Sequence, residues 1–99
     1  MHARSGSMQV PTDRLDQMVS TLERELIPRY RDQDGYKGFT MLINRRSGKV
    51  VGVSFWEGED ARQGSEELGT EARAAMREAA GGQAQIIRED WEVALDDMV

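Results

Sequence analysis

The sequence predicts an α+β domain with the element order βαββαβ. Three features carry this: an apolar stripe at helical spacing between Pro11 and Tyr30, two β-rich runs joined by RRSG, and a second helical region stopped by Gly81 and Gly82 before a last strand. Residues 1–99 fit a single domain. A chain this short buries only about 65% of its unfolded surface, so its core is thin and self-association would help it.

HARSGSMQV, residues 2–10, is taken as the first strand. From Pro11 to Tyr30, Leu15, Met18, Val19, Leu22 and Leu26 recur at the spacing of one helix face. Thr12 or Asp13 is placed to cap the free amides of the first turn. Pro28 removes a backbone donor, which predicts a bent or frayed last turn, and RDQDG reads as a polar exit loop. Tyr36–Asn44 and Lys49–Trp56 form an antiparallel hairpin across Arg45–Gly48, with glycine placed for a left-handed conformation.

The second helical region starts near Glu57–Glu59, with Glu59, Asp60 or Ser65 as caps, and continues through Leu68, Ala72, Ala75, Met76 and Ala79. Gly64 and Gly69 are expected to divide it. Ile86–Leu95, rich in Ile, Trp and Val, closes the domain as a strand. This order is the split βαβ, ferredoxin-like arrangement: an antiparallel sheet with two helices on one face.

Alternation along strands sorts their faces. Val51, Val53 and Phe55, with Phe39, Met41 and Ile43, make purely apolar sets and are assigned to the helix side. The opposite sets, Val50, Gly52, Ser54 and Trp56 with Tyr36, Gly38, Thr40 and Leu42, are too apolar for an open face. A second copy of the sheet is the economical cover, so a homodimer is expected to bury them.

Composition excludes several functions. With 18 acidic and 13 basic residues and a net charge of −5, general attraction to nucleic acid or anionic membrane is not expected. The absence of cysteine removes disulfides, thiolate metal sites and a thiol nucleophile, and no apolar run reaches a membrane span of about 20 residues. A cytoplasmic protein fits. The opening MHARSGS resembles an expression remnant and lacks the apolar stretch of a signal peptide. The acidic groups Asp32/Asp34, Glu57/Glu59/Asp60, Glu66/Glu67 and Asp96/Asp97 lack calcium-loop spacing and read as solvated turns and helix starts. His2 is the only imidazole, so no metal site is expected, and no phosphate loop or GxSxG elbow is present.

DGYKGF, SFWEGEDA and IIREDWEVAL, in that order, resemble the antibiotic biosynthesis monooxygenase-like proteins, which are dimeric α+β barrels. The matching residues are Gly35, Tyr36 and Gly38; Trp56, Glu57 and Gly58; and Trp91, Glu92 and Val93. The resemblance takes in ARSGSMQVP as the first strand, replacing the remnant reading. It implies a cofactor-independent oxygenase, or a binder, of small aromatic or polyketide-type molecules, with no cofactor. The alternative is a noncatalytic dimeric binding or interaction domain whose cavity is filled by side chains.

In the family's polyketide oxygenases, a tryptophan matching Trp56 lines the cavity. An asparagine four residues earlier and a tyrosine six later are replaced here by Gly52 and Arg62. The haem-degrading members' asparagine is absent from residues 3–9, and Ser65 and Ala75 stand near their tryptophan and histidine positions, which argues against that chemistry. No catalytic residue is assigned. The candidate pocket consists of Arg4, Tyr36, Thr40, Ser54 and Trp56. Tyr36 and Trp56 would position an aromatic ligand, and Arg4 would stabilise an anionic form. Trp91 and Val93 are the candidate dimer contacts.

Overall fold

The computed structural model describes residues 1–82 and 84–98. Its strands are β1 (His2–Gln9), β2 (Tyr36–Ile43), β3 (Lys49–Trp56) and β4 (Ile87–Glu92). They form one antiparallel sheet in the order β2-β3-β1-β4. This is the expected ferredoxin-like α+β architecture.

The first helical segment runs as a 3₁₀ turn (Thr12–Arg14), α1 (Leu15–Thr21), a π segment (Leu22–Leu26) and α2 (Ile27–Arg31). Neither Thr12 nor Asp13 caps it, because the chain enters through Pro11 with no side-chain cap. Pro28 does more than fray the end. It cannot donate to the Arg24 carbonyl and its ring crowds that group, so the turn upstream widens into the π segment.

The second region consists of α3 (Glu59–Gly64) and α4 (Glu66–Ala79), broken at Ser65. Gly69 lies inside α4 and breaks nothing. No side chain caps either helix, and the Ser65 hydroxyl instead donates back to the Arg62 carbonyl at 2.7 Å. The predicted stop holds: Gly81 and Gly82 take positive φ, and their amides donate to the carbonyls of Glu78 and Arg77. β4 is shorter than the predicted Ile86–Leu95, and its residues are exposed.

The hairpin turn fixes the face assignment. The Asn44 side-chain oxygen accepts from the amides of Arg46 and Ser47, both at 3.0 Å. Gly48 sits at φ +82°, where a β-carbon would lie 2.2 Å from the Val10 carbonyl. Ile43 therefore pairs with Val50, Met41 with Gly52 and Phe39 with Ser54. Paired residues share a face, so Phe39, Met41 and Ile43 point towards the helices as expected.

For β3 the assignment is reversed. Val50, Gly52, Ser54 and Trp56 are the buried set, while Val51, Val53 and Phe55 are only half-buried. The apolar count on each strand misled, because register rather than hydrophobicity sets which residues face one another. A shift in register between Tyr36 and Gly38 also turns Tyr36 onto the Trp56 side.

The core lies between the sheet and the helices. Met8, Val50 and Trp56 pack there against Leu15, Met18, Leu22 and Leu26 of the first helical segment and Leu68, Ala72 and Met76 of α4.

Candidate functional site

Trp56, at the end of β3, is fully buried. Its indole N–H donates to the Ser54 hydroxyl at 2.9 Å. Tyr36 meets it edge-on at 5.6 Å between ring centroids, and Tyr30 of α2 lies 6.0 Å away. Tyr30 also contacts Phe39 at 5.6 Å. Four aromatic rings thus plug one end of the layer between sheet and helices, with centroid separations in the favourable range. Burial holds the Tyr30 and Tyr36 hydroxyls above their ordinary pKa, so both stay neutral near neutral pH.

The small residue Gly52 does not leave a chamber. A β-carbon there would meet the Phe39 ring at 3.1 Å, with Met41 next, so side chains from β2 already fill the space. What remains is a cavity of about 30 Å³ whose lining includes Arg4, Tyr30, Phe39, Ser54, Gly69 and Arg73.

Of the predicted pocket residues, Arg4, Ser54, Trp56 and Tyr36 come to the same side of the sheet. Thr40 does not. It pairs with Val53 on the opposite face and lines a separate recess of about 680 Å³ with Phe55 and Val93. Trp91 is 47% exposed and donates its indole N–H to the Ser5 hydroxyl at 2.8 Å. The amide of Val93 donates to the Met1 carbonyl.

Arg4 is 4% exposed and is held by acceptors from α3 and α4. Its Nη2 donates to the Arg62 carbonyl and to Glu66, both at 2.8 Å, and Nη1 reaches the Ser65 hydroxyl at 3.2 Å. Gly69 makes this possible, since a β-carbon there would stand 2.5 Å from Arg4 Nη1. Arg62 meets Asp90 at 3.0 Å, and Arg88 grips both Glu66 oxygens. Glu66 is the expected helix start and is 44% exposed, but it also ties together Arg4, Arg73 and Arg88, while no sequence motif assigns a role to Arg62, Arg73, Arg88 or Asp90. A signal was present, because Arg88 and Asp90 share a strand face and Glu66 and Arg73, seven residues apart, share a face of α4.

No protein-family model matches the chain. Two curated relatives are uncharacterised proteins of Mycobacterium tuberculosis. Rv2557 is 30% identical over 94 residues, covering 95% of this chain and 41% of its own length. Rv2558 is 26% identical over 95 residues, covering 96% and 39%. The chain thus spans about two fifths of the length of these relatives.

Among solved structures, a Deinococcus radiodurans protein described as a candidate antibiotic biosynthesis monooxygenase superposes with a TM-score of 0.72 at 14% identity, covering 100% of this chain and 98% of that one. The haem degrader MhuD of M. tuberculosis, with two haems bound, gives 0.71 at 18%, covering 99% and 100%. The monooxygenase ActVA-Orf6 of Streptomyces coelicolor, in complex with nanaomycin D, gives 0.70 at 16%, covering 98% and 92%.

The chain shares the ferredoxin-like α+β fold of these proteins. On this monooxygenase-like frame, two positions depart from the oxygenase pattern implied by the sequence resemblance. At Gly52 the Phe39 ring takes up the space, and Arg62 is drawn into the ionic cluster with Asp90. Among the described residues, no group of three His, Asp or Glu side chains is arranged to hold a metal, and no helix is long and apolar enough to cross a membrane.

Proposed function

We propose that the chain is a homodimeric, noncatalytic binding or interaction domain on the monooxygenase fold, its interior filled by its own side chains. One observation carries this reading: the cavity bounded by Arg4, Tyr30, Phe39, Gly52 and Ser54 holds about 30 Å³, room for a water molecule rather than for an aromatic ring. Trp56 and Tyr36 then act as packing, with Arg4 and Ser54 beside the small cavity.

The homodimer is supported by the open face of the sheet. Leu42, Ile87 and Trp91 are 59%, 69% and 47% exposed there, and β4 offers no burial of its own. An apolar face of this kind favours cover by a second copy. A similarly folded protein from an uncultured marine organism, 13% identical with a TM-score of 0.69, is described as a dimeric ferredoxin-like protein. Trp91 and Val93 are the proposed contacts, and the cytoplasm the proposed location.

A second reading is a cofactor-independent oxygenase for small aromatic or polyketide-type molecules, the bound substrate supplying electrons to dioxygen. It is favoured by the shared fold of SnoaB from Streptomyces nogalater, described as a cofactor-independent oxygenase, at 12% identity and a TM-score of 0.67. Oxygen uptake with a panel of polyphenols in metal-free buffer separates the two. The expected result is no uptake, and no rise in Tm with polyphenols that lack a carboxylate. Turnover of any member would overturn the noncatalytic reading.

A further inference from the structure

Where β1, β4 and the α3–α4 junction meet, Arg4, Arg62, Arg73 and Arg88 converge on two shared carboxylates. Glu66 is met by Arg4 at 2.8 Å, by Arg88, and by Arg73 at 3.7 Å. Asp90 is met by Arg62 at 3.0 Å, Arg88 at 3.4 Å and Arg4 at 3.7 Å. The nearest further acid among the described residues is Glu59, 3.8 Å from Arg62. Four cations therefore share three carboxylates, Glu66, Asp90 and the more distant Glu59, a local positive excess in a chain whose net charge is −5.

The cluster also has unmet donors. Arg4 and Arg62 are 4% and 9% exposed, and each keeps a buried Nε hydrogen with no acceptor. A buried guanidinium left short of partners is destabilising unless something else supplies them. Burial lowers the Arg4 pKa, and Arg88 and Arg73 lower it further against the opposing pull of Glu66 and Asp90. A further negative group would relieve that strain.

The seat has a defined shape. Arg88 holds Glu66 through both oxygens while Arg4 Nη2 donates to Oε2, the forked geometry in which guanidinium recognises a planar carboxylate. Glu66 is the first residue of α4 and its side chain is 44% exposed, so rotation about its own bonds moves it into water. Behind the seat, Arg4 and Arg73 border the small cavity together with apolar Leu22, Phe39 and Met76.

We propose that this arginine cluster binds the carboxylate of a small organic acid, with Glu66 holding the seat when no ligand is present. The inference rests on the binding-domain reading and gives it a ligand class. An incoming carboxylate takes the donors of Arg4 and Arg88 and draws in Arg73, while the rest of the acid stays on the solvent side of the cluster, where Glu66 is 44% exposed.

Sodium benzoate is the probe, added to the chain of residues 1–99 and compared with sodium chloride at equal ionic strength and with sodium phosphate. Titration calorimetry and thermal denaturation are the readouts. Benzoate is expected to raise Tm above the chloride control. Glu66→Gln, which removes the competing charge, should tighten benzoate about ten-fold, and Arg73→Gln should weaken it about ten-fold. Circular dichroism verifies that both variants are folded. Equal Tm in benzoate and chloride for both the parent chain and Glu66→Gln would overturn the proposal. Phosphate acting as strongly as benzoate, or affinity unchanged in Arg73→Gln, would also overturn it. Sedimentation of the same samples tests the dimer separately, so failure of one reading is distinguishable from failure of the other.

Discussion

Trp56 donates its indole N–H to the hydroxyl of Ser54 at 2.9 Å, and neither residue is more than 3% exposed. The two lie on the same face of β3, so the strand itself supplies the partner that a buried indole requires. This arrangement makes Trp56 a structural plug and gives the first prediction.

Trp56→Ala should cost about 3–5 kcal/mol in urea denaturation, because the surrounding rings cannot collapse fully into the space. Trp56→Phe should cost less while leaving the Ser54 hydroxyl without its donor, about 1–3 kcal/mol. An alanine variant within about 1 kcal/mol of the parent would mean that the indole is dispensable to the core.

Two glycines in neighbouring helices should respond oppositely. At Gly69 a methyl would stand 2.5 Å from Arg4 Nη1, whereas at Gly64 it meets nothing within 4 Å. Gly69→Ala is therefore expected to destabilise by about 1–3 kcal/mol despite its better helix propensity. Gly64→Ala should be neutral or gain up to about 1 kcal/mol. Thermal melts of both variants test this, and stabilisation by Gly69→Ala would show that Arg4 is not seated against α4.

Charge on the open sheet face should break the proposed homodimer. Trp91→Glu and Leu42→Glu alter exposed side chains, at 47% and 59%, so each protomer should keep its circular dichroism spectrum while sedimentation shifts towards the monomer. A parent chain that already sediments as a monomer at micromolar concentration would refute the dimer outright.

Alkaline pH should report on Tyr30. Its pKa is raised from the ordinary value near 10, chiefly by burial and against the opposing influence of Arg4 and Arg73. The folded state thus favours the neutral phenol. The associated stability is fully present below the unfolded pKa, near 10, and is lost as pH rises through the higher folded value. Tyr30→Phe removes this titration, so its alkaline unfolding midpoint should lie above that of the parent. Coincident midpoints would show that Tyr30 carries no such linkage.

The sequence by itself determined the order of elements. Apolar spacing marked the helix through Leu15, Met18, Leu22 and Leu26, Gly48 marked the hairpin, and Gly81 and Gly82 marked the helix stop, because each follows from short-range geometry. It also brought Arg4, Tyr36, Ser54 and Trp56 forward as one candidate group.

Tertiary structure decided the rest. Which face of β3 is buried depends on register across the hairpin, and one shift near Lys37 turned Tyr36 inward while Thr40 stayed on the other side. Whether Gly52 leaves a void depends on Phe39 from the neighbouring strand. The gathering of Arg4, Arg62, Glu66, Arg73, Arg88 and Asp90 joins residues from β1, α3, α4 and β4. No local pattern encodes such a meeting, since it exists only once sheet and helices have packed.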